Sequence, residues 1–357
     1  MRTIWRSLAR PFVIGPLVVL CAASAVGALA LRERPAAVRT PISVPYDEPE
    51  FVFRARAIAP PTPTPPRPKP KPRLAPRPAP RPAGPSLAAF RGLGTWVDLY
   101  DYQALTPETA AADMAAHGVR TLYLQTARWD KPAANDRAAL FADPAMVERW
   151  VVAAHASGMR IVGWYLPAYD DLARDVARTT AIAAYRTGGG EAFDALAVDI
   201  EYKDQVSSLA AWNADVAEHL RRVRRAVGVR YPVAAIVPAP LAMQIRPQNW
   251  VGFPWQALAQ QANLFMPMAY WSFRDDCSSD PSHCAYGYTK GNVEQVRALT
   301  GRPNLPVHVL GGVADSITTA DVASFAAAEK ASGCYGGSLY DYQTTQTAWW
   351  GELAKLN

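Results

Sequence analysis

Short apolar runs alternate with longer amphipathic stretches from Leu93 to the end of the chain. Eight of these runs predict strands, and most are almost continuously apolar, as parallel strands covered on both faces are. The predicted strands are residues 94–101, 120–126, 160–167, 195–201, 233–238, 263–270, 306–311 and 336–342. The stretches between them have the length and pattern of helices, so strands and helices are expected to alternate.

Local signals mark where those helices begin and end. Thr106-Pro107 and Asp143-Pro144 each place a capping residue before a helix-opening proline. Glycines that close a helix just before the next strand are Gly118, Gly158 and Gly333. Eight strand-then-helix units in about 260 residues predict a fold of the α/β class, a (β/α)8 barrel. A doubly wound sheet is the alternative, but it would more often carry a glycine-rich loop after the first strand.

The N-terminal 31 residues have the pattern of an export signal. Residues 11–31 carry no charge and, as a helix, would span about 30 Å, the thickness of a bilayer core. Arg2, Arg6 and Arg10 precede this segment, so the N-terminus is expected to stay in the cytoplasm. Residues 28–30 resemble a signal-peptidase site, which leaves a membrane anchor and a cleaved signal both open. Either alternative places the remainder outside the cytoplasm, tethered to the membrane or secreted.

Residues 32–86 read as a linker between that segment and a barrel at residues 87–357. Between residues 60 and 85, 13 of 26 positions are proline, which favours a stiff, extended spacer. Residues 1–85 also hold 14 of the 37 Lys and Arg residues but only 4 of the 31 Asp and Glu residues. The rest of the chain is therefore mildly acidic despite the overall charge of +6, which argues against a nucleic-acid-binding core.

The fourth predicted strand ends by placing two carboxylates on one face, Asp199 and Glu201. Residues two apart in a strand point to the same side, and burying charge is costly, so this pair favours a function over a structural role. Crowded carboxylates hold a proton more tightly, as the general acid of a glycosidase must. Both residues are predicted to be catalytic.

Aromatic and carboxylate side chains dominate the other strand ends, where barrel enzymes place their sites. The predicted substrate-binding residues are Asp98, Gln125, Trp164, Tyr165, Tyr270, Trp271, Tyr340 and Asp341. Aromatic faces stack on sugar rings and carboxylates accept hydrogen bonds from hydroxyls, so the set suits a carbohydrate cleft. Packing at the barrel rim is the alternative for any single aromatic residue, and a turn role is the alternative for Asp98. The pattern implies no cofactor and no metal site.

Two cysteines lie seven residues apart in a polar loop. In an exported protein, Cys277 and Cys284 are predicted to form a local disulfide. Two free thiols are one alternative, and a zinc site that includes His283 is another. The zinc site lacks a further pair of ligands with suitable spacing.

Residues 194–201, D-A-L-A-V-D-I-E, resemble the D-G-x-D-x-D-x-E strand of glycoside hydrolase family 18, the chitinase-like barrels. The first Asp, the last Asp and the Glu match, while Ala195 and Ala197 replace the Gly and the middle Asp. Residues 268–270 are similar to the M-x-Y of that family's sixth strand. The resemblance implies that Glu201 is the acid, that Asp199 orients an acetamido group of the substrate and that Tyr270 hydrogen-bonds to it.

Residues 98–103, D-L-Y-D-Y-Q, resemble the first strand of a second family, the family 25 lysozyme-like muramidases. That family also carries D-x-E on its fourth strand, so the resemblance implies peptidoglycan as substrate and adds Asp98 to the site. Both resemblances share a hydrolase barrel with Glu201 as proton donor. The sequence thus predicts an exported glycoside hydrolase that acts on a polysaccharide with N-acetylated sugars, either chitin-like or peptidoglycan. The alternative is a catalytically inactive glycan-binding barrel tethered at the cell surface.

Overall fold

Eight parallel strands close into a barrel in the computed structural model, which describes residues 84–130, 138–274, 280, 284–314 and 317–357. Each strand pairs with its neighbours in chain order, and the last pairs with the first. The strands are β1 (Gly92–Val97), β2 (Thr121–Arg128), β3 (Arg160–Leu166), β4 (Ala195–Asp199), β5 (Val233–Pro238), β6 (Leu264–Met268), β7 (His308–Val313) and β8 (Gly336–Tyr340). The predicted (β/α)8 barrel is confirmed.

Helices separate the strands in the described ranges. They are α1 (Pro107–Ala116), α2 (Pro144–Ala156), α3 (Leu172–Ala184), α4 (Leu209–Val227), α5 (Pro240–Ile245), α6 (Trp255–Gln261), α7 (Ala285–Thr300), α8 (Thr319–Ala331) and α9 (Trp350–Leu353). The predicted starts of α1 and α2 are confirmed, and the Asp143 carboxylate accepts the N–H of Met146 at 3.0 Å. Gly118, Gly158 and Gly333 follow helices with positive φ, which side chains resist.

The strand residues divide between two cores. In β4, Ala195 and Ala197 face the barrel interior, while Leu196 and Val198 face the surrounding helices. The interior core is filled largely by aromatic and branched side chains, among them Trp96, Trp164 and Ile236. The outer core between strands and helices is larger and holds most of the buried apolar residues. This alternation decides which side chains reach the mouth at the C-terminal ends of the strands.

Several strands end earlier than predicted, so the candidate residues lie on the loops that follow. β1 stops at Val97 and β4 at Asp199, which leaves Asp98 and Glu201 just beyond them. At β1 the reason is local: the Asp98 carboxylate accepts the N–H of Tyr100 at 2.7 Å, so the chain turns instead of continuing the sheet.

The side chain of Asn357 contacts the N-terminal ends of two barrel strands. The Asn357 side-chain oxygen accepts the N–H of Leu93 at 3.1 Å and the Nε–H of Arg120 at 2.7 Å. Its amide nitrogen donates to the carbonyl of Gly118 at 2.9 Å. One side chain therefore joins the end of the chain to the beginnings of β1 and β2.

Three predictions concern residues beyond the described ranges. They are the membrane segment at residues 1–31, the linker at residues 32–83 and the Cys277–Cys284 disulfide, of which Cys277 lies outside the described ranges. All three stay predictions. Within the described part of the chain, no helix combines the length and apolar character needed to cross a membrane.

Candidate active site

The end of β4 brings Asp199 and Glu201 to the mouth of the barrel. Ile200, between them, is buried in the outer core, so its two neighbours face the interior side. Asp199 is only 7% exposed, and its Oδ1 has no hydrogen-bond partner among the described residues. Burial, reinforced by the charge of Glu201, raises the pKa of Asp199 well above its usual range. Asp199 therefore holds its proton more tightly than an isolated aspartic acid does.

Solvent reaches Glu201, yet the walls of the barrel mouth surround its carboxylate. The resulting loss of hydration raises the pKa of Glu201, and the guanidinium of Arg128 opposes that rise. Two interacting acids release their protons as a pair, so the pair keeps a proton to higher pH than an isolated carboxyl would. A proton held beside open solvent is what general acid catalysis requires.

A β-bulge turns Arg128 toward this acid. The pairing of β2 with β3 shifts register between Gln125 and Ala127, so Ala127 enters the outer core and Arg128 points the other way. Its guanidinium forms an ion pair with Asp130 at 2.8 Å and donates to the hydroxyl of Tyr100 at 2.6 Å. Arg128 therefore connects the loops after β1 and β2 beside Glu201.

Tyrosines extend the site across the mouth from β4 to β1. Burial raises the pKa of the Tyr270 phenol, and the charges of Glu201 and Asp199 add to the effect. The rings of Tyr270 and Tyr340 lie 6.4 Å apart, and the Tyr340 hydroxyl donates to Asp98 Oδ2 at 2.6 Å. Tyr270 is therefore close to the acid pair, whereas Asp98 bonds to Tyr340, whose ring lies next to Tyr270.

A second acidic group lies on the β1 side of the mouth. Asp98, Asp101 and Asp341 each offer a carboxylate oxygen, and these oxygens lie within 4.8 Å of one another. Burial raises the pKa of Asp101 to about 7, and the charges of Asp341 and Asp98 contribute. Proton uptake thus relieves the mutual repulsion. Of the described residues, this is the group whose spacing could also accept a cation.

Gln125 and Trp164 occupy the interior below the mouth. Gln125 Oε1 accepts the N–H of Leu99 at 3.1 Å, so this side chain holds the loop after β1. Trp164 is 4% exposed and packs edge-on against Trp96 at 5.8 Å. Its indole N–H has no partner among the described residues, which leaves a donor near the acid pair.

Two predicted substrate-binding residues lie elsewhere, and their predictions are corrected here. Tyr165 is fully buried in the outer core, and its hydroxyl donates to Asp175 of α3 at 2.6 Å. Trp271 packs on Phe325 of α8 at 5.0 Å. Tyr165 follows the interior residue Trp164, so strand alternation directs it to the helix layer. Trp271 lies in a short 3-10 helix after β6, and its ring occupies the space beside Gly311 and Gly312.

An aromatic pair at the rim was not among the predicted substrate-binding residues. The rings of Trp129 and Tyr202 stack 4.9 Å apart at 24°. Tyr202 directly follows Glu201, so this pair borders the acid. Its signal in the sequence is the position of each aromatic residue at a strand end, but only the fold shows that the two meet.

Solved structures with the same fold include several glycosidases. The match to the GH18 chitinase of Cycas revoluta in complex with allosamidin has 11% identity and a TM-score of 0.52, covering 74% of this chain and 98% of that one. A chitinase from Bacteroides thetaiotaomicron matches with 11% identity and a TM-score of 0.53, covering 75% and 96%. The catalytic domain of a beta-amylase from Paenibacillus polymyxa matches with 9% identity and a TM-score of 0.53, covering 76% and 98%.

No protein-family model and no curated protein matches the chain at a significant level. The structural matches give the family 25 resemblance no support. Matches at 9–11% identity establish only the architecture of the chain. Chitinases and a beta-amylase share this architecture, so it does not identify the substrate. The chain is a (β/α)8 barrel with the fold of the family 18 chitinases.

Proposed function

We propose that the barrel hydrolyses glycosidic bonds in a polysaccharide that contains N-acetylated sugars, with Glu201 as general acid and Asp199 assisting. The observation that carries the proposal is the acid pair at the end of β4. One carboxyl is buried, with an oxygen that has no hydrogen-bond partner among the described residues, and the other is open to solvent. Support for the substrate class comes from the same fold in a Cycas revoluta chitinase in complex with (GlcNAc)4, at 10% identity and a TM-score of 0.53 over 74% of this chain and 98% of that one.

In the proposed reaction, Glu201 donates its proton to the glycosidic oxygen as the bond to the sugar carbon breaks. The leaving sugar takes that proton as a hydroxyl group, and positive charge develops at the sugar carbon. Asp199 assists by hydrogen bonding to the acetamido group, and Tyr270, in the loop after β6, hydrogen-bonds to the same group. Water then adds to the carbon, and its proton returns to Glu201.

Reducing ends released from chitin oligosaccharides and from peptidoglycan by the full chain test this proposal. We expect Glu201→Gln to lower kcat by at least about 100-fold, because the amide cannot donate a catalytic proton. Glu352→Gln is the matched control, since Glu352 pairs with Lys355 on α9 far from the mouth. Equal turnover by wild type and Glu201→Gln would refute the assignment of the acid.

One observation favours an inactive glycan-binding barrel as a second candidate. Ala197 lies in the interior where the family 18 pattern has its middle Asp, so Asp199 has no carboxylate beneath it. Binding of chitin oligosaccharides by wild type and Glu201→Gln alike, with no reducing ends released by either, would favour this candidate over hydrolysis.

We also propose that the barrel is exported and remains at the membrane or is secreted, on the basis of uncharged residues 11–31 behind three arginines. Fractionation of cells that express the full chain tests this. Recovery of the protein in the cytoplasmic fraction alone would contradict export.

A further inference from the structure

A groove opens beside the mouth, between the loop after β2 and the beginning of α3. It has a volume of about 930 Å³, which lies within the range of small-molecule binding pockets. The residues that line it and matter here are Trp129, Asp130, Asp170, Arg174, Arg178 and Gln205. Neither Asp199 nor Glu201 lines the groove, so the groove is separate from the part of the mouth that holds the acid pair.

The inner end of the groove adjoins the general acid. Trp129 lines the groove and stacks on Tyr202, which directly follows Glu201. Gln205 lines it as well, and its Nε2 donates to the Tyr202 hydroxyl at 3.3 Å. The two aromatic rings thus form the border that the groove shares with the mouth.

Opposite charges compensate each other along the groove walls. Arg174 pairs with Asp170 and, at 3.1 Å, with Asp175. Asp130 pairs with Arg128 at 2.8 Å. Such walls present fixed donors and acceptors without a large field of one sign, which suits an uncharged, hydroxyl-rich ligand better than a polyanion.

We propose that this groove binds the continuation of the glycan chain beyond the bond placed at Glu201, with Trp129 and Tyr202 as the aromatic border. The inference rests on the proposed function and deepens it. The preferred ligand is an uncharged oligosaccharide long enough to occupy mouth and groove together, so the protein acts within polymers and discriminates against short fragments.

Binding by the full chain with Glu201→Gln tests the proposal without turnover. Calorimetry compares the N-acetylglucosamine hexamer with the trimer. We expect the hexamer to bind at least about tenfold more tightly, and Trp129→Ala in the same background to reduce that ratio to about twofold. Trp129→Tyr, which keeps an aromatic ring, should restore most of the preference. Tyr286→Ala, which removes an exposed ring from α7, should leave the ratio unchanged.

A hexamer-to-trimer ratio that stays the same in Trp129→Ala would overturn the groove proposal, as would an equal loss of affinity for both ligands. Failure of the proposed function gives a different result. In that case wild type releases no reducing ends, while the length preference and its dependence on Trp129 persist. Turnover without a length preference would refute glycan binding in the groove and leave the proposed hydrolysis standing.

Discussion

At the scale of single residues, the proton on Glu201 depends on groups from three strands. Asp199 at the end of β4 interacts electrostatically with it, Arg128 at the end of β2 adds positive charge, and the Tyr270 phenol, in the loop after β6, lies in the field of both acids. Enclosure by the mouth raises the pKa of Glu201, whereas Arg128 lowers it. The working pH range should therefore respond to Arg128 in a defined direction.

We expect Arg128→Gln to move the alkaline limb of the kcat/KM profile upward by roughly half a pH unit or more. The cation favours the ionised form of Glu201, so its removal raises the pKa and keeps the acid protonated to higher pH. Profiles measured on a chitin oligosaccharide test this, with Arg149→Gln, which removes a surface ion pair with Glu108, as the control. A downward shift of the limb would contradict the assignment.

At the scale of elements, α8 and β8 meet through a buried acid. Glu329 of α8 is 3% exposed, and burial raises its pKa well above the usual range. Gly337 of β8 lies directly against it: a Cβ there would come within 2.0 Å of Glu329 Oε1. Gly337 therefore makes room for the carboxyl between helix and strand.

Gly337→Ala should destabilise the barrel by about 1–3 kcal/mol, because β8 or α8 must shift to admit the methyl group. Urea unfolding measures the loss. Gly351→Ala on α9 is the matched control, since a Cβ there meets nothing within 4 Å. Equal unfolding midpoints for the two variants would show that the contact between α8 and β8 is unimportant.

At the scale of the whole molecule, strand number, strand order and the placement of the acid pair could be predicted from the sequence, because apolar runs and alternation report them directly. The direction of Arg128 could not, since a bulge between Gln125 and Ala127 reverses the alternation and leaves no clear pattern. Trp271 was misassigned because the glycines that receive its ring, Gly311 and Gly312, belong to another strand. A contact between residues on strands that are distant in the sequence can be identified only from the closed barrel.

The contribution of Asn357 to the stability of the closed barrel can be tested by mutation. We expect Asn357→Ala to lower the free energy of unfolding by about 1–3 kcal/mol, because it removes three hydrogen bonds at the beginnings of β1 and β2. Lys355→Ala, which removes an exposed pair with Glu352, is the control. Urea midpoints that fall by the same amount in both variants would refute the role of Asn357.

The anchoring of Asn357 also has a practical consequence for experiments on this protein. Polypeptide attached after Asn357 would emerge at the opposite end of the barrel from Glu201 and leave the barrel mouth unobstructed. A fluorescent reporter or a surface-immobilisation handle placed there, behind a flexible spacer that preserves the asparagine amide, should permit titrations of the proposed glycan ligands on a chip with the barrel mouth facing the flow.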